Sequence, residues 1–187
     1  MKKRCDWVNL SNDLYIKYHD EEWGVPLHHE HKLFELLILE GCQAGLSWET
    51  ILKKRENYRK AYDNFDPKVV AEYDDEKIQE LLSNAGIVRN KLKVRASVKN
   101  AKVFLKIQKE FGSFDQYLWN FIDNKPIVNN LEKLEDYPTR TELSDKISSD
   151  LKKRGMSFVG STIIYAMIQA IGMVNDHQTD CFRYSQV

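Results

Sequence analysis

Apolar residues recur three and four positions apart along most of this chain, and nowhere does a two-residue alternation last. Stretches 32–39, 50–62, 75–82, 91–110, 143–154 and 162–172 all carry that spacing. A period near 3.6 gathers such residues on one side of a helix, whereas a half-buried strand needs a period of two. The pattern predicts an all-α fold. Ser47, the pair Asp66 and Pro67, and Asp74 mark helix starts, because short polar side chains cap free amides and proline suits a first turn. Gly86, Gly112 and Gly155 mark stops. Residues 122–141 hold Pro126 and Pro138, two of the four prolines, and have little periodicity. They read as an irregular connection between helical halves.

A chain of 187 residues builds one well-packed domain more readily than two, so 1–187 is read as a single domain. With 42% hydrophobic and 30% charged residues there is a core to build, and neither disorder nor a fibrous class fits. No apolar run approaches the length of a membrane span, and the start MKKRCDWVNL lacks a following apolar stretch. The expectation is a monomer in the cytoplasm with no membrane partner. Cys5, Cys42 and Cys181 are odd in number and far apart, which suits reduced or metal-bound thiols rather than a disulfide framework.

The formal net charge is zero, but the charge is segregated. Arg89, Lys91, Lys93, Arg95, Lys99, Lys102, Lys106 and Lys109 follow one another with no acidic residue between them, just after Asp74, Asp75, Glu76 and Glu80. Such a run is either a solvated helix face or a surface for phosphates.

Three further constellations carry chemistry. His177 and Cys181 stand four apart, on one face if the segment is helical, and Cys5 with His19 supplies a second pair. Two sulfurs and two ring nitrogens suit one tetrahedral, structural Zn2+ ion that would staple the chain ends. Each residue also has an ordinary packed or exposed alternative, and His28, His29 and His31 form a rival cluster that reads as a polar loop.

Residues 151–162, LKKRGMSFVGST, run from a basic helix end through two glycines into an apolar helix. They read as a helix-hairpin-helix over about 143–173. In that reading Gly155, Gly160 and Ser161 bring backbone amides to a phosphate beside Lys152, Lys153 and Arg154. The alternative is a plain helical hairpin with a solvated basic end.

Trp7, Tyr15, Tyr18, Trp23 and Trp48 crowd the first fifty positions together with Glu40. Glu40 directly follows the apolar stretch Leu36 to Leu39 and precedes the small residues 41–45. Buried there, its charge demands a partner, and a cationic ring held between Tyr18 and Trp48 would be one. Exposed there, it is an ordinary helix-end glutamate.

Most of these residues lie in YHDEEWGVP (18–26), LEGCQAGLSWETILKKRENYR (39–59), NAGIVRNKLK (84–93) and LKKRGMSFVGSTIIYAMIQAIGMVNDH (151–177), with Cys181 beyond. Together they resemble the 3-methyladenine DNA glycosylase I family from about residue 4 to residue 181. The resemblance implies a helix-hairpin-helix glycosylase that flips 3-methyladenine out of alkylated double-stranded DNA, hydrolyses its glycosidic bond and releases the base. It implies Cys5, His19, His177 and Cys181 as zinc ligands. Glu40 would act on the lesion, Tyr18 and Trp48 would stack on it, and Trp7, Tyr15 and Trp23 would wall it in. The loop of Gln43, Gly45 and Leu46 would enter the gap left in the DNA. Cys42 stands where the family pattern has a glutamine, and neither Asn175 nor Asp176 takes the place of a general base. Rival readings are a broader range of alkylated purines, a lesion binder that does not cleave, and a zinc-stabilised interaction module.

Overall fold

The computed structural model describes residues 2–187; Met1, the first residue of the expected domain, lies outside them. Among the described residues nine α-helices follow one another. They are α1 (Asp13–Glu21), α2 (Glu30–Gln43), α3 (Trp48–Ala61), α4 (Pro67–Ala71), α5 (Asp75–Ser83), α6 (Lys91–Phe111), α7 (Phe114–Trp119), α8 (Glu142–Lys153) and α9 (Ser161–Ala170). Two short strands, β1 (Ile127–Val128) and β2 (Val174–Asn175), pair in parallel, Ile127 opposite Val174 and Val128 opposite Asn175. The all-α expectation holds, and no helix among the described residues is long and apolar enough to cross a membrane.

Local chemistry sets the helix ends. Ser47, Asp66 and Asp74 each cap the helix that follows, accepting from the amides of Thr50, Lys68 and Lys77, and Pro67 opens α4. Gly112 closes α6 at φ +90°. Three helices escaped the periodicity. In α1, capped by Asn12, only Tyr18 and His19 are buried, and α4 and α7 have five and six residues. None carries a stripe that repeats.

The site is positioned by α2, which is buried along most of its length. The C-terminal end of α1 and helix α3 are tied to it by a buried ion-pair network: Arg55 binds Glu35 of α2 at 2.5 Å and Glu22 at 2.7 Å, and Arg59 reaches Glu35 at 2.9 Å. Arg55 and Glu35, the two buried members, each hold two partners, so the network fixes the mutual placement of the three helices. On its other side α2 meets the turn between α8 and α9 so closely that a Cβ on Gly41 would lie 3.2 Å from Phe158. That turn is held from α6, where Asn100 exchanges hydrogen bonds of 2.8 and 2.9 Å with Ser157.

After α9, Gly172 turns the chain at φ +73° against the backbone of residues 24–26, where an added Cβ would come within 2.5 Å of Pro26 N. Only glycine meets both demands. The turn delivers β2 and the C-terminal segment to the N-terminal one. Residues 122–141 are irregular, as expected, with β1 tying them to β2.

Candidate active site and metal cluster

Helix α1 presents Tyr15, Tyr18 and His19 on one side, because positions three and four apart share a helix face. Asn12 holds the front of α1 to α3 through Glu49 at 2.9 Å. Trp48 is the first residue of α3, placed by its neighbour Ser47, the cap. Tyr18 and Trp48 stand with ring centroids 5.4 Å apart, inclined by 49°.

Glu40 does not end its helix. Helix α2 runs on to Gln43, and Glu40 is 3% exposed. The small residues after it are therefore helical as far as Gln43, and only Ala44 to Ser47 form the loop. These aromatics and Glu40 line a cavity of about 320 Å3 together with Trp7, Tyr15, Trp23, Gln43, Leu134, Tyr137, Ala166 and Gln169.

Three polar atoms there lack a partner among the described residues: Glu40 Oε2 and the indole Nε1 of Trp48 and of Trp7. Buried polar atoms are rarely left so, and three orphans in the residues lining one cavity mark a place for a ligand. By contrast the buried Trp119 donates to the Leu27 carbonyl at 3.2 Å. Burial alone pushes the Glu40 carboxyl up from 4.5 to about 8. No cation among the described residues offsets its charge, so a ligand that does so would favour its ionisation at neutral pH.

Next to the cavity, a second hollow of about 210 Å3 is lined by Glu40, Gln43, Ala44, Gly45, Leu46, Thr162, Ile163 and Ala166. It joins the 44–47 loop to the start of α9. Leu46 is 42% exposed, Gly45 adopts φ +79°, and neither Gly45 nor Gly160 has any atom within 4 Å of an added Cβ. Helix α9 begins at Gly160 and Ser161 with no side-chain cap, so its first amides are free. Lys152 and Lys153 are exposed and make no ion pair among the described residues, and Gly155 follows them in the turn at φ +103°. Arg154 differs: its guanidinium binds Glu110 at 2.7 Å and Asp150 at 2.6 Å and lies over Phe111 and Tyr117.

The basic run 89–109 is also divided. Lys93 is buried and donates to the carbonyls of Cys42 and Ala44 at 2.8 and 2.6 Å, capping the C-terminal end of α2, while the other seven are exposed. Cys42 itself is buried.

Cys5, His19, His177 and Cys181 come together, all buried, with their ligand atoms within 4.8 Å of one another, and are able to hold a metal ion. The segment carrying His177 and Cys181 is not helical. A turn after β2, closed by the Cys181 amide donating to the Gln178 carbonyl at 2.8 Å, brings the pair together instead. Each imidazole is also held from behind, His19 by Asp20 at 2.8 Å and His177 by the Trp23 carbonyl at 3.1 Å. The cluster shares a wall with the cavity: Trp7 lies 5.3 Å from His19, and Trp23 lies 4.7 Å from His177, centroid to centroid. The trio His28, His29 and His31 makes no such cluster; His28 pairs with Asp115 at 2.8 Å.

Leu134, Tyr137, Ala166 and Gln169 were not foreseen. Gln169 had a signal, a lone amide in an otherwise apolar helix end, whereas the first two come from aperiodic chain.

An aromatic box with an orphaned carboxyl is suited to a flat ring able to carry positive charge. Comparison with known proteins narrows the class. Residues 7–184 match the family described as methyladenine glycosylase. A DNA-3-methyladenine glycosylase of Haemophilus influenzae is 48% identical over 181 residues, 97% of either chain. Among solved structures, a crystal structure of 3-methyladenine DNA glycosylase I superposes with a TM-score of 0.93 at 48% identity, covering 96% of this chain and 98% of that one. Another, a tyrosine-to-phenylalanine variant of such an enzyme in complex with 3-methyladenine, gives 0.92 at 36% identity, covering 96% of each. The chain belongs to the methyladenine glycosylase family.

The raised carboxyl sets a pH test. The folded protein holds the Glu40 proton more tightly than the unfolded chain, so that contribution to stability is complete below pH 4.5 and is lost as pH rises to about 8. Thermal unfolding of Glu40→Gln against wild type should therefore show a gain in Tm that grows with pH, reaching about 5 °C or more above pH 8. A pH-independent difference would contradict the burial of an ionisable group at this position.

Proposed function

We propose that the protein excises 3-methyladenine from alkylated double-stranded DNA by flipping the base into the cavity and hydrolysing its glycosidic bond. The orphaned, fully buried carboxyl of Glu40 beneath the Tyr18 and Trp48 rings carries this reading. A methylated adenine in DNA is cationic. Between those rings it gains cation–π attraction, and beside Glu40 its charge favours loss of the carboxyl's proton to water and pairs with the resulting carboxylate. A neutral adenine offers neither gain, and its extrusion costs more because it is better stacked and paired. Selectivity thus arises both on entry and in the pocket.

Chemistry follows from the same charge. When the bond between the sugar and the base breaks, its electron pair goes to the base, which leaves neutral, and water bonds to the sugar carbon and gives up one proton to solvent. The positive charge that moves onto the sugar remains near Glu40, whose carboxylate stabilises it. Trp7, Tyr15 and Trp23 exclude water and hold the stacking rings in place.

On the DNA side, Gln43, Gly45 and Leu46 fill the space the base vacates. The free amides of Gly160 and Ser161, with Gly155 allowing close approach and Lys152 and Lys153 adding charge, bind the backbone. Arg154, held by two carboxylates, shapes the end of α8 rather than contacting phosphate.

We assign the metal as one structural zinc ion. Zinc at about 2.3 Å from sulfur and 2.0–2.1 Å from nitrogen separates the two ligand types by about 3.5 Å in a tetrahedron. The distances from Cys5 Sγ to His177 Nδ1, Cys181 Sγ to His19 Nε2 and Cys181 Sγ to His177 Nδ1 are 3.5, 3.4 and 3.6 Å. Both imidazoles have the supporting acceptor that metal-bound histidines need. With two thiolates and two histidines the coordination is filled, so the ion is a staple and takes no part in the reaction.

Chromatography of bases released from methylated duplex DNA tests the activity: wild type should free 3-methyladenine in preference to 7-methylguanine. Trp48→Ala should be slower by about 30-fold, the loss of a desolvated cation–π contact, and Glu40→Gln by about 100-fold. Preferential binding of methylated DNA with no base released would overturn the enzyme reading. For the metal, Cys181→Ser should lose zinc and thermal stability together, and a full zinc content at unchanged Tm would refute the assignment.

A further inference from the structure

The cavity contains a second acceptor whose direction the protein fixes. Gln169 lines it from the C-terminal end of α9. Its amide Nε2 donates to Asp176 Oδ2 at 2.8 Å. Asp176 is completely buried and takes two more donors, Asn129 Nδ2 on Oδ1 at 2.6 Å and the Tyr165 hydroxyl on Oδ2. A carboxylate surrounded by donors leaves the amide one orientation, because a flip would set two oxygens face to face.

The partners of Asp176 are themselves fixed. Tyr165 lies one turn before Gln169 on α9, and Asn129 is held by its backbone amide on the Asn175 carbonyl at 3.1 Å. Tyr137, another cavity residue, donates to the Asp176 carbonyl at 2.8 Å. Gln169 Oε1, at the other end of the amide, has no hydrogen-bond partner among the described residues and is left to the cavity.

We infer that Gln169 determines base specificity, its carbonyl oxygen accepting a hydrogen bond from the exocyclic amine of the extruded purine. The inference rests on the reading of the cavity as a 3-methyladenine pocket. In an adenine nucleoside methylated at N3, N9 is bonded to sugar and N1 and N7 are acceptors. The only N–H groups are the two of the amine at C6. A cavity that offers Glu40 and Gln169 as acceptors can satisfy both only through that amine. A guanine derivative presents an oxygen at the same position and meets repulsion from both. Asp176 is then a positioning residue, acting through Gln169 and touching no base.

The test compares binding of two free bases to the intact, zinc-loaded protein by calorimetry: 3-methyladenine, and 3-methylpurine, the same ring without the amine. Gln169→Met keeps the length of the side chain and removes the acceptor; Gln169→Leu serves as a second replacement. Both variants should bind 3-methyladenine about tenfold more weakly while 3-methylpurine binding stays as in wild type, so the preference for the amine shrinks by that factor. Equal loss for the two bases would make Gln169 a wall and overturn the inference, as would no loss for either. If wild type binds 3-methyladenine and the variants match it, the inference alone fails. If wild type binds neither base, the reading of the cavity fails and takes the inference with it.

Discussion

The meeting of Cys5, His19, His177 and Cys181 is the constraint on which the rest of the site depends. It joins the two ends of the chain through side chains that are all buried, and ligands of this type release a large free energy when one ion binds them in a folded geometry. The consequences run outward by contact. His19 is on α1 beside Tyr18, so fixing one fixes the other. His177 Nε2 donates to the Trp23 carbonyl, and Gly24 next to it packs so tightly on the ring that an added Cβ would lie 2.9 Å from Nε2. The aromatic wall of the cavity is therefore also the wall of the metal cluster.

A second constraint comes from helix α2. The helix buries Glu35 and Glu40 in neighbouring turns and treats them in opposite ways. Glu35 meets Arg55 and Arg59, and its charge is compensated within the protein. Glu40 faces a cavity with no cation, and its proton is retained up to about pH 8. One carboxyl stabilises the packing of three helices, and the other is left unsatisfied within the protein. On the proposed function, a cationic ring is the group that completes Glu40, and the discrimination comes from that pairing.

Much of this was legible in the sequence, and the remainder has physical reasons. Helix ends followed from the caps at Ser47, Asp66 and Asp74, whose action is local. The aromatic residues and the cysteine–histidine set could be named from residue type and from the family resemblance. Geometry was read less well. His177 and Cys181 would share a face if their segment were helical, but the close packing at Gly172 sends the chain into a strand and a turn that achieve the same approach. Glu40 looked like a helix end because small residues follow it, yet tertiary burial carries the helix three residues further. Leu134 and Tyr137 reach the cavity from chain with no period, where only the pairing of β1 with β2 sets position. The basic run read as one surface, although Lys93 turns inward to the end of α2, a distinction that charge patterning does not make.

Nuclear magnetic resonance of the indole N–H groups during titration with free 3-methyladenine tests the central claim most directly, since two of the tryptophans differ in the needed way. Trp48 Nε1 has no partner in the cavity, and Trp119 Nε1 is hydrogen-bonded to the Leu27 carbonyl. The account predicts a saturable shift of the Trp48 resonance with that of Trp119 unmoved. Saturable binding that leaves the Trp48 resonance in place would put the base elsewhere and contradict the assignment of the cavity.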